Sequence, residues 1–133
     1  MEAGSATVAG LFAERGRKVQ ISRLGYVETQ SAFAVKVRSG GLGLEAAAAL
    51  RARLILDVAA GDVEVYSLTL DHFKVAERLI GRHAFGQRLR TLDAIQLAIA
   101  LDLRDQDAMD SFVVSDGALS AVAAAEGLSV IVP

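Results

Sequence analysis

Apolar and polar positions along the chain follow two different periods, which together predict helices that alternate with short strands. The predicted helices are Ser5–Arg15, Leu24–Arg38, Leu44–Val58, Asp71–Arg82, Leu92–Leu103 and the segment "DGALSAVAAAEG" that ends at Gly127. The predicted strands are Val19–Ser22, Asp62–Ser67, "SFVVS" and "LSVIV". This order predicts an α/β fold with a mostly parallel sheet.

The length and the composition restrict the class of protein. A chain of 133 residues fits a single domain over residues 1–133, with a core large enough to fold without metals or disulfides. There is no cysteine, which excludes a disulfide framework and a thiolate metal site. The formal net charge is −2, so any contact with a nucleic acid has to use local arginine clusters.

Membrane insertion and secretion are not predicted. Although 53% of the residues are apolar, charges interrupt them and no uninterrupted apolar stretch reaches the roughly 18 residues of a membrane span. The first residues, "MEAGSATVAG", lack the basic start and apolar run of a secretory signal, so we expect a cytoplasmic protein.

Three acidic residues occupy positions where a parallel α/β fold places its ligands, beyond the carboxyl ends of strands. Glu28 follows the first predicted strand and opens the helix "YVETQSAFAVKV", where its neighbours Ser31, Ala32 and Val35 predict that it faces inward. Asp93 opens the helix "RTLDAIQLAIALDL", and Asp116 follows "FVVS" directly. Three carboxylates that converged would repel one another in a poorly solvated pocket, so their convergence predicts a bound cation. With oxygen ligands alone, that cation would be Mg²⁺ or Mn²⁺, which can activate water for attack on a phosphodiester.

Each acid also has a purely structural interpretation. An Asp at a helix N-terminus is stabilised by the exposed N–H groups and by the helix dipole, which alone accounts for Asp116. Glu28 equally fits a partly buried ion pair with an arginine. The choice between these interpretations is open at the level of the sequence.

Other polar residues are weaker candidates. The acids of "DLRDQDAMD", which begins at Asp102, lack the glycine and the closing Glu of a calcium loop and are interpreted as a solvated loop. His72 and His83 have no metal-ligand spacing and are expected at the surface, and Ser115 is expected at a strand end, where its hydroxyl could support a metal-bound water. The best basic run contains the arginines that we consider for RNA backbone contacts, Arg82, Arg88 and Arg90, together with Arg78.

Three segments in order resemble the PIN domain family, and more specifically the toxins of VapBC-type toxin–antitoxin pairs. They are "SRLGYVETQSAFAVKVRSG", "LRTLDAIQLAIAL" and "FVVSDGALSAVAAAEGLSVIVP", which span nearly the whole chain. The resemblance implies a three-layer α/β/α sandwich and Mg²⁺- or Mn²⁺-dependent cleavage of RNA by activated water. It assigns Glu28, Asp93 and Asp116 as the metal-binding acids, with Ser115 as a helper, and it implies an antitoxin protein as partner.

The sequence departs from the family pattern at its start. PIN domains usually begin with a central strand that ends in an Asp followed by Thr or Ser, whereas "MEAGSATVAG" resembles the segment after that strand. The first catalytic Asp has no counterpart, since the nearest acid, Glu2, is in no strand-like context. We expect either a longer natural chain or a shortened member with impaired activity. A missing central strand would leave open edges, which favours a homodimer.

The leading hypothesis is therefore a metal-dependent ribonuclease. The alternative is a catalytically impaired PIN-like module that binds an antitoxin or another protein. A phosphoacceptor signalling domain shares the α/β order, but it needs a lysine near the last strands, and the final lysine is Lys74.

Overall fold

The structure, a computed structural model, describes residues 18–133; the predicted helix Ser5–Arg15 and Glu2 lie outside the described residues. The described part contains β1 (Val19–Ser22), α1 (Arg23–Arg38), α2 (Leu44–Ala60), β2 (Val63–Tyr66), α3 (Leu70–His83), α4 (Thr91–Asp105), β3 (Phe112–Val113), α5 (Gly117–Ala125) and β4 (Val130–Ile131). Every helix and strand predicted within this range is present, with ends at or close to those predicted.

The chain divides into two compact units, and the first comprises residues 18–67. Here β1 and β2 pair in parallel, with Val19 opposite Val63 and Ser22 opposite Tyr66. Helices α1 and α2 connect the two strands and pack against each other. This unit is therefore a β-α-α-β arrangement around a short parallel pair.

The junction between β1 and α1 depends on two small residues. The hydroxyl of buried Ser22 caps α1 by accepting a hydrogen bond from the Gly25 N–H over 2.8 Å. A Cβ atom on Gly25 would lie 3.0 Å from Ile21 Cγ1, closer than ordinary packing permits. Glycine thus lets the first turn of α1 approach the strand that precedes it.

The described part of the second unit is residues 68–133, and α4 forms its centre. Buried residues occur on all sides of this helix: Ala94, Ile95, Leu97, Ala98, Ile99, Ala100, Leu101 and Leu103. A helix that is apolar all round has to be surrounded by other elements. Leu79 of α3 and Val122 of α5 are fully buried as well, so the core of this unit includes residues of three helices.

Two short strands and α5 complete this unit. β3 and β4 pair in parallel, with Phe112 opposite Val130 and Val113 opposite Ile131. Gly127, which follows α5, has a φ of +90°, the left-handed conformation that ends many helices. The glycine that the sequence predicted as the end of this helix therefore has the expected conformation.

The predicted α/β class and the parallel pairing of strands are confirmed. Within residues 18–133 the four strands form two sheets of two strands each. Across the same range, no helix is both long and apolar enough to cross a membrane.

Candidate functional site

Asp116 lies three residues beyond the carboxyl end of β3 and is the N-cap of α5. Its Oδ1 accepts a hydrogen bond from the Leu119 N–H over 2.9 Å, and its Oδ2 accepts one from Arg88 Nη2 over 3.2 Å. The backbone N–H of Leu119 and then the Arg88 guanidinium hold the pKa of the Asp116 carboxyl below its usual range. A carboxylate that is ionised at neutral pH thus stands where parallel α/β folds bind ligands.

Asp93 lies in the first turn of α4, as the sequence predicted. Its Oδ2 accepts a hydrogen bond from the backbone N–H of Arg90 over 3.4 Å, which helps to begin the helix. The side chain is half-buried, although α4 is otherwise the most buried helix of the described chain. The helix-capping interpretation of Asp93 and Asp116 therefore has direct structural support, and it leaves both carboxylates with further lone pairs.

The third predicted acid, Glu28, lies half-buried on α1 in the unit formed by residues 18–67. Throughout residues 18–133, no group of three or more His, Asp or Glu side chains is arranged to hold a metal ion. Carboxylate oxygens are the donors that Mg²⁺ and Mn²⁺ prefer, so the donor chemistry of the predicted set suits those ions. Glu28, Asp93, Asp116 and Ser115 remain predicted site residues, and Ser115 lies exposed between β3 and α5.

The predicted RNA-binding arginines lie at the end of α3 and in the connection to α4. Arg88 pairs with Asp116, and Arg82 Nη1 lies 3.3 Å from Glu126 Oε2. Arg82, Arg88 and Arg90 are all exposed. The Arg88–Asp116 pair is exposed on both sides, and exposed ion pairs contribute little to stability, so the Arg88 guanidinium can be exchanged to a phosphate at low cost.

The expectation that His72 lies at the surface is wrong. Its side chain is buried, with a residue exposure of 6%. Its Nδ1 accepts a hydrogen bond from the Thr69 N–H over 3.0 Å, and its Nε2 lies 2.7 Å from Asp102 Oδ2. Asp102, interpreted from the sequence as part of a solvated loop, is instead a half-buried residue of α4. This pair ties the start of α3 to α4.

His83 is also more buried than expected, and it belongs to a second polar cluster. Its Nε2 lies 2.9 Å from Glu126 Oε2, the oxygen that Arg82 also contacts. The hydrogen bond from His83 is the main cause that lowers the pKa of Glu126. Arg104 donates to the Glu126 carbonyl over 2.7 Å, so residues of α3 and α4 both bind the end of α5.

No local pattern could have revealed these two clusters. The partners are 30 residues apart for His72 and Asp102, and 43 apart for His83 and Glu126. His72 lies in the first turn of α3 and His83 is its last residue. Nothing in the sequence around either position indicates a polar cluster. Only the packing of α3 against other helices brings the acids to them.

A scan against protein-family models finds no matching family, and a search of the curated proteins finds no matching sequence.

Proposed function

We propose that the protein is a metal-dependent ribonuclease of the PIN type, in which carboxylates hold Mg²⁺ or Mn²⁺ and RNA is hydrolysed by activated water. The observation that carries the proposal is the position of Asp116, an ionised carboxylate just beyond the carboxyl end of a parallel strand pair, with Arg88 beside it. A three-layer α/β/α sandwich and a cytoplasmic location are parts of the same proposal.

Asp93 and Asp116 are the proposed metal ligands in residues 68–133, and Glu28 is added on the basis of the resemblance. The metal, when bound, would lower the pKa of a water and stabilise the charge that develops on the phosphodiester. Arg88 neutralises Asp116 only through an exposed contact, so a cation can replace it at little cost. Arg82 and Arg90 would bind the phosphates that flank the cleaved bond.

The test is cleavage of a mixed RNA substrate with Mg²⁺ or Mn²⁺ and with EDTA, combined with a Mn²⁺ titration followed by electron paramagnetic resonance. Asp93→Asn and Asp116→Asn keep the size and the hydrogen-bonding shape of the side chain but remove its charge. We expect each variant to bind the metal and to cleave RNA about 10- to 100-fold less well, or worse. Losses of that size occur even when only a hydrogen-bond partner of a metal ligand is removed. Asp110→Asn, the same change at an exposed loop acid, serves as control and should leave both unchanged.

Cleavage that persists in EDTA, or that survives in both Asn variants, would contradict the proposal. A well-folded protein that neither binds Mn²⁺ nor cleaves RNA would contradict it as well, and would favour the second candidate.

The second candidate is a catalytically impaired PIN-like module that binds an antitoxin or another protein, and a second copy of the chain is one such partner. It is favoured by the apolar surface of α1 and α2, which bury one residue each, Gly25 and Ala47. Large apolar side chains of these helices are exposed: Val27, Val35, Leu44, Leu50, Ile55 and Leu56. The two helices pack against each other, and a contiguous patch of such side chains would form an interaction surface.

Sedimentation equilibrium tests the self-association form of this candidate. We expect the wild type to sediment as a dimer and Leu56→Glu as a monomer, because a charge on α2 opposes burial of the apolar surface. Leu70→Glu, at a similarly exposed leucine of α3, is the control and should remain dimeric.

A further inference from the structure

Phe85 is the most exposed large apolar side chain of the described residues, at 94%. It lies in an ordered turn after α3, where the Gly86 and Gln87 N–H groups both donate to the His83 carbonyl, over 3.1 and 2.9 Å. Leu89, a few residues later, is buried and anchors the connection. The exposed ring therefore stands on a segment whose backbone is fixed by hydrogen bonds and which ends in a buried leucine.

The segment of the chain that contains Phe85 is basic. Residues 78–90 contain four arginines and no Asp or Glu. The arginines Arg78, Arg82, Arg88 and Arg90 are all exposed. A segment that carries an exposed aromatic ring and several arginines can supply both a surface for base stacking and groups that bind phosphates.

We infer that Phe85 is a stacking residue for a base of single-stranded RNA, with Arg82, Arg88 and Arg90 holding the adjacent phosphates. The inference rests on the proposed function and adds a residue that would hold an unpaired base of the RNA. A protruding ring reaches the face of a base only where that base is unstacked, which excludes the interior of a duplex. The contact of Arg88 with Asp116 places this surface next to the proposed catalytic carboxylate.

Fluorescence anisotropy of a labelled single-stranded RNA, measured in EDTA so that nothing is cleaved, tests the inference. We expect Phe85→Ala to weaken binding roughly 5- to 150-fold, the range of one base stacked on an aromatic ring. Phe73→Ala is the matched control, because Phe73 is also exposed, at 47%, but lies on α3 outside the arginine-rich segment. It should bind like the wild type.

A second variant reports the stacking directly. The chain has no tryptophan, so Phe85→Trp introduces a single fluorescent indole at this position. We expect this variant to bind single-stranded RNA at least as tightly as the wild type, and the RNA to quench its fluorescence. Phe73→Trp should show no quenching. Duplex RNA of the same sequence should bind more weakly and be insensitive to Phe85→Ala.

Equal binding of single-stranded RNA by wild type and Phe85→Ala would overturn the inference, as would equal quenching at both tryptophan positions. Unchanged RNA binding together with loss of self-association in Phe85→Ala would assign the ring to a protein interface instead. Stacking at Phe85 without any metal-dependent cleavage would keep this inference and contradict the nuclease proposal, so the two failures are distinguishable.

Discussion

His72 Nε2 lies 2.7 Å from Asp102 Oδ2, and the other ring nitrogen of His72 accepts a hydrogen bond from the Thr69 backbone. A backbone N–H can only donate, so Nδ1 carries no proton and Nε2 is the donor to Asp102. One buried imidazole therefore caps α3 and binds α4 in a single tautomer. The hydrogen bond from His72 is also the main cause that lowers the pKa of Asp102.

This pair predicts a loss of stability in acid. The pKa of Asp102 is lower in the folded state than in the unfolded chain, where it is about 3.9. The ionised carboxylate therefore stabilises the fold above that value, and this stabilisation is lost as the pH falls through the folded-state pKa. We expect His72→Asn, which can still accept from Thr69 but does not reach Asp102, to lose about 1 kcal/mol at neutral pH. Urea unfolding at about pH 7 and about pH 3 should show a smaller acid destabilisation in His72→Asn than in the wild type. An equal loss of stability in acid for the wild type and His72→Asn would contradict a stabilising His72–Asp102 hydrogen bond.

Glu126 should be more important for stability than its place at the end of α5 suggests. Its side chain is only 7% exposed and accepts from both His83 and Arg82. We expect Glu126→Gln to lower the free energy of unfolding by about 1–3 kcal/mol, because the largely buried His83 loses its charged acceptor. The control is Glu77→Gln, the same change at an exposed position of α3. Urea denaturation that gave equal effects at the two sites would count against a role for the cluster.

Two glycines should respond to alanine with opposite signs. Gly127 has a φ of +90°, and a Cβ there would lie 3.1 Å from Arg104 Nη1, so we expect Gly127→Ala to cost about 1–2 kcal/mol. Gly81 lies inside α3 with nothing within 4 Å of an added Cβ, so Gly81→Ala should gain about 0.5–1 kcal/mol from helix propensity. Thermal denaturation of both variants provides the comparison, and a destabilised Gly81→Ala would refute the helical argument.

Asp116 allows the capping and charge interpretations to be separated. Asn caps helices about as well as Asp, so Asp116→Asn should keep the thermal stability of the wild type, while Asp116→Ala should unfold at a modestly lower temperature. If the carboxylate also binds a metal, both variants lose Mn²⁺ affinity. Loss of Mn²⁺ affinity in Asp116→Ala alone would show that the fold of the helix end, and not the charge, is what matters.

The local sequence placed Asp93 and Asp116 correctly at the starts of their helices, whereas Glu28 lies inside α1, which begins at Arg23. Asp93 and Asp116 begin α4 and α5 because an acidic residue at a helix N-terminus is favoured by exposed N–H groups, which is a local effect. Their hydrogen bonds with Arg90 and Leu119 span three residues each. The other oxygen of Asp116 accepts a hydrogen bond from Arg88, which is 28 residues away in the sequence. No local pattern predicts that contact.

The sequence by itself determined the order and the approximate ends of the helices and strands, because hydrophobic periodicity and a left-handed glycine such as Gly127 act within a few residues. Only the tertiary structure decided that His72 is buried against Asp102 and that His83 and Glu126 share a cluster. It also decided that Phe85 protrudes from the arginine-rich turn. These features depend on which helix faces pack together, and that choice is made by the free energy of the whole core and not by any short segment.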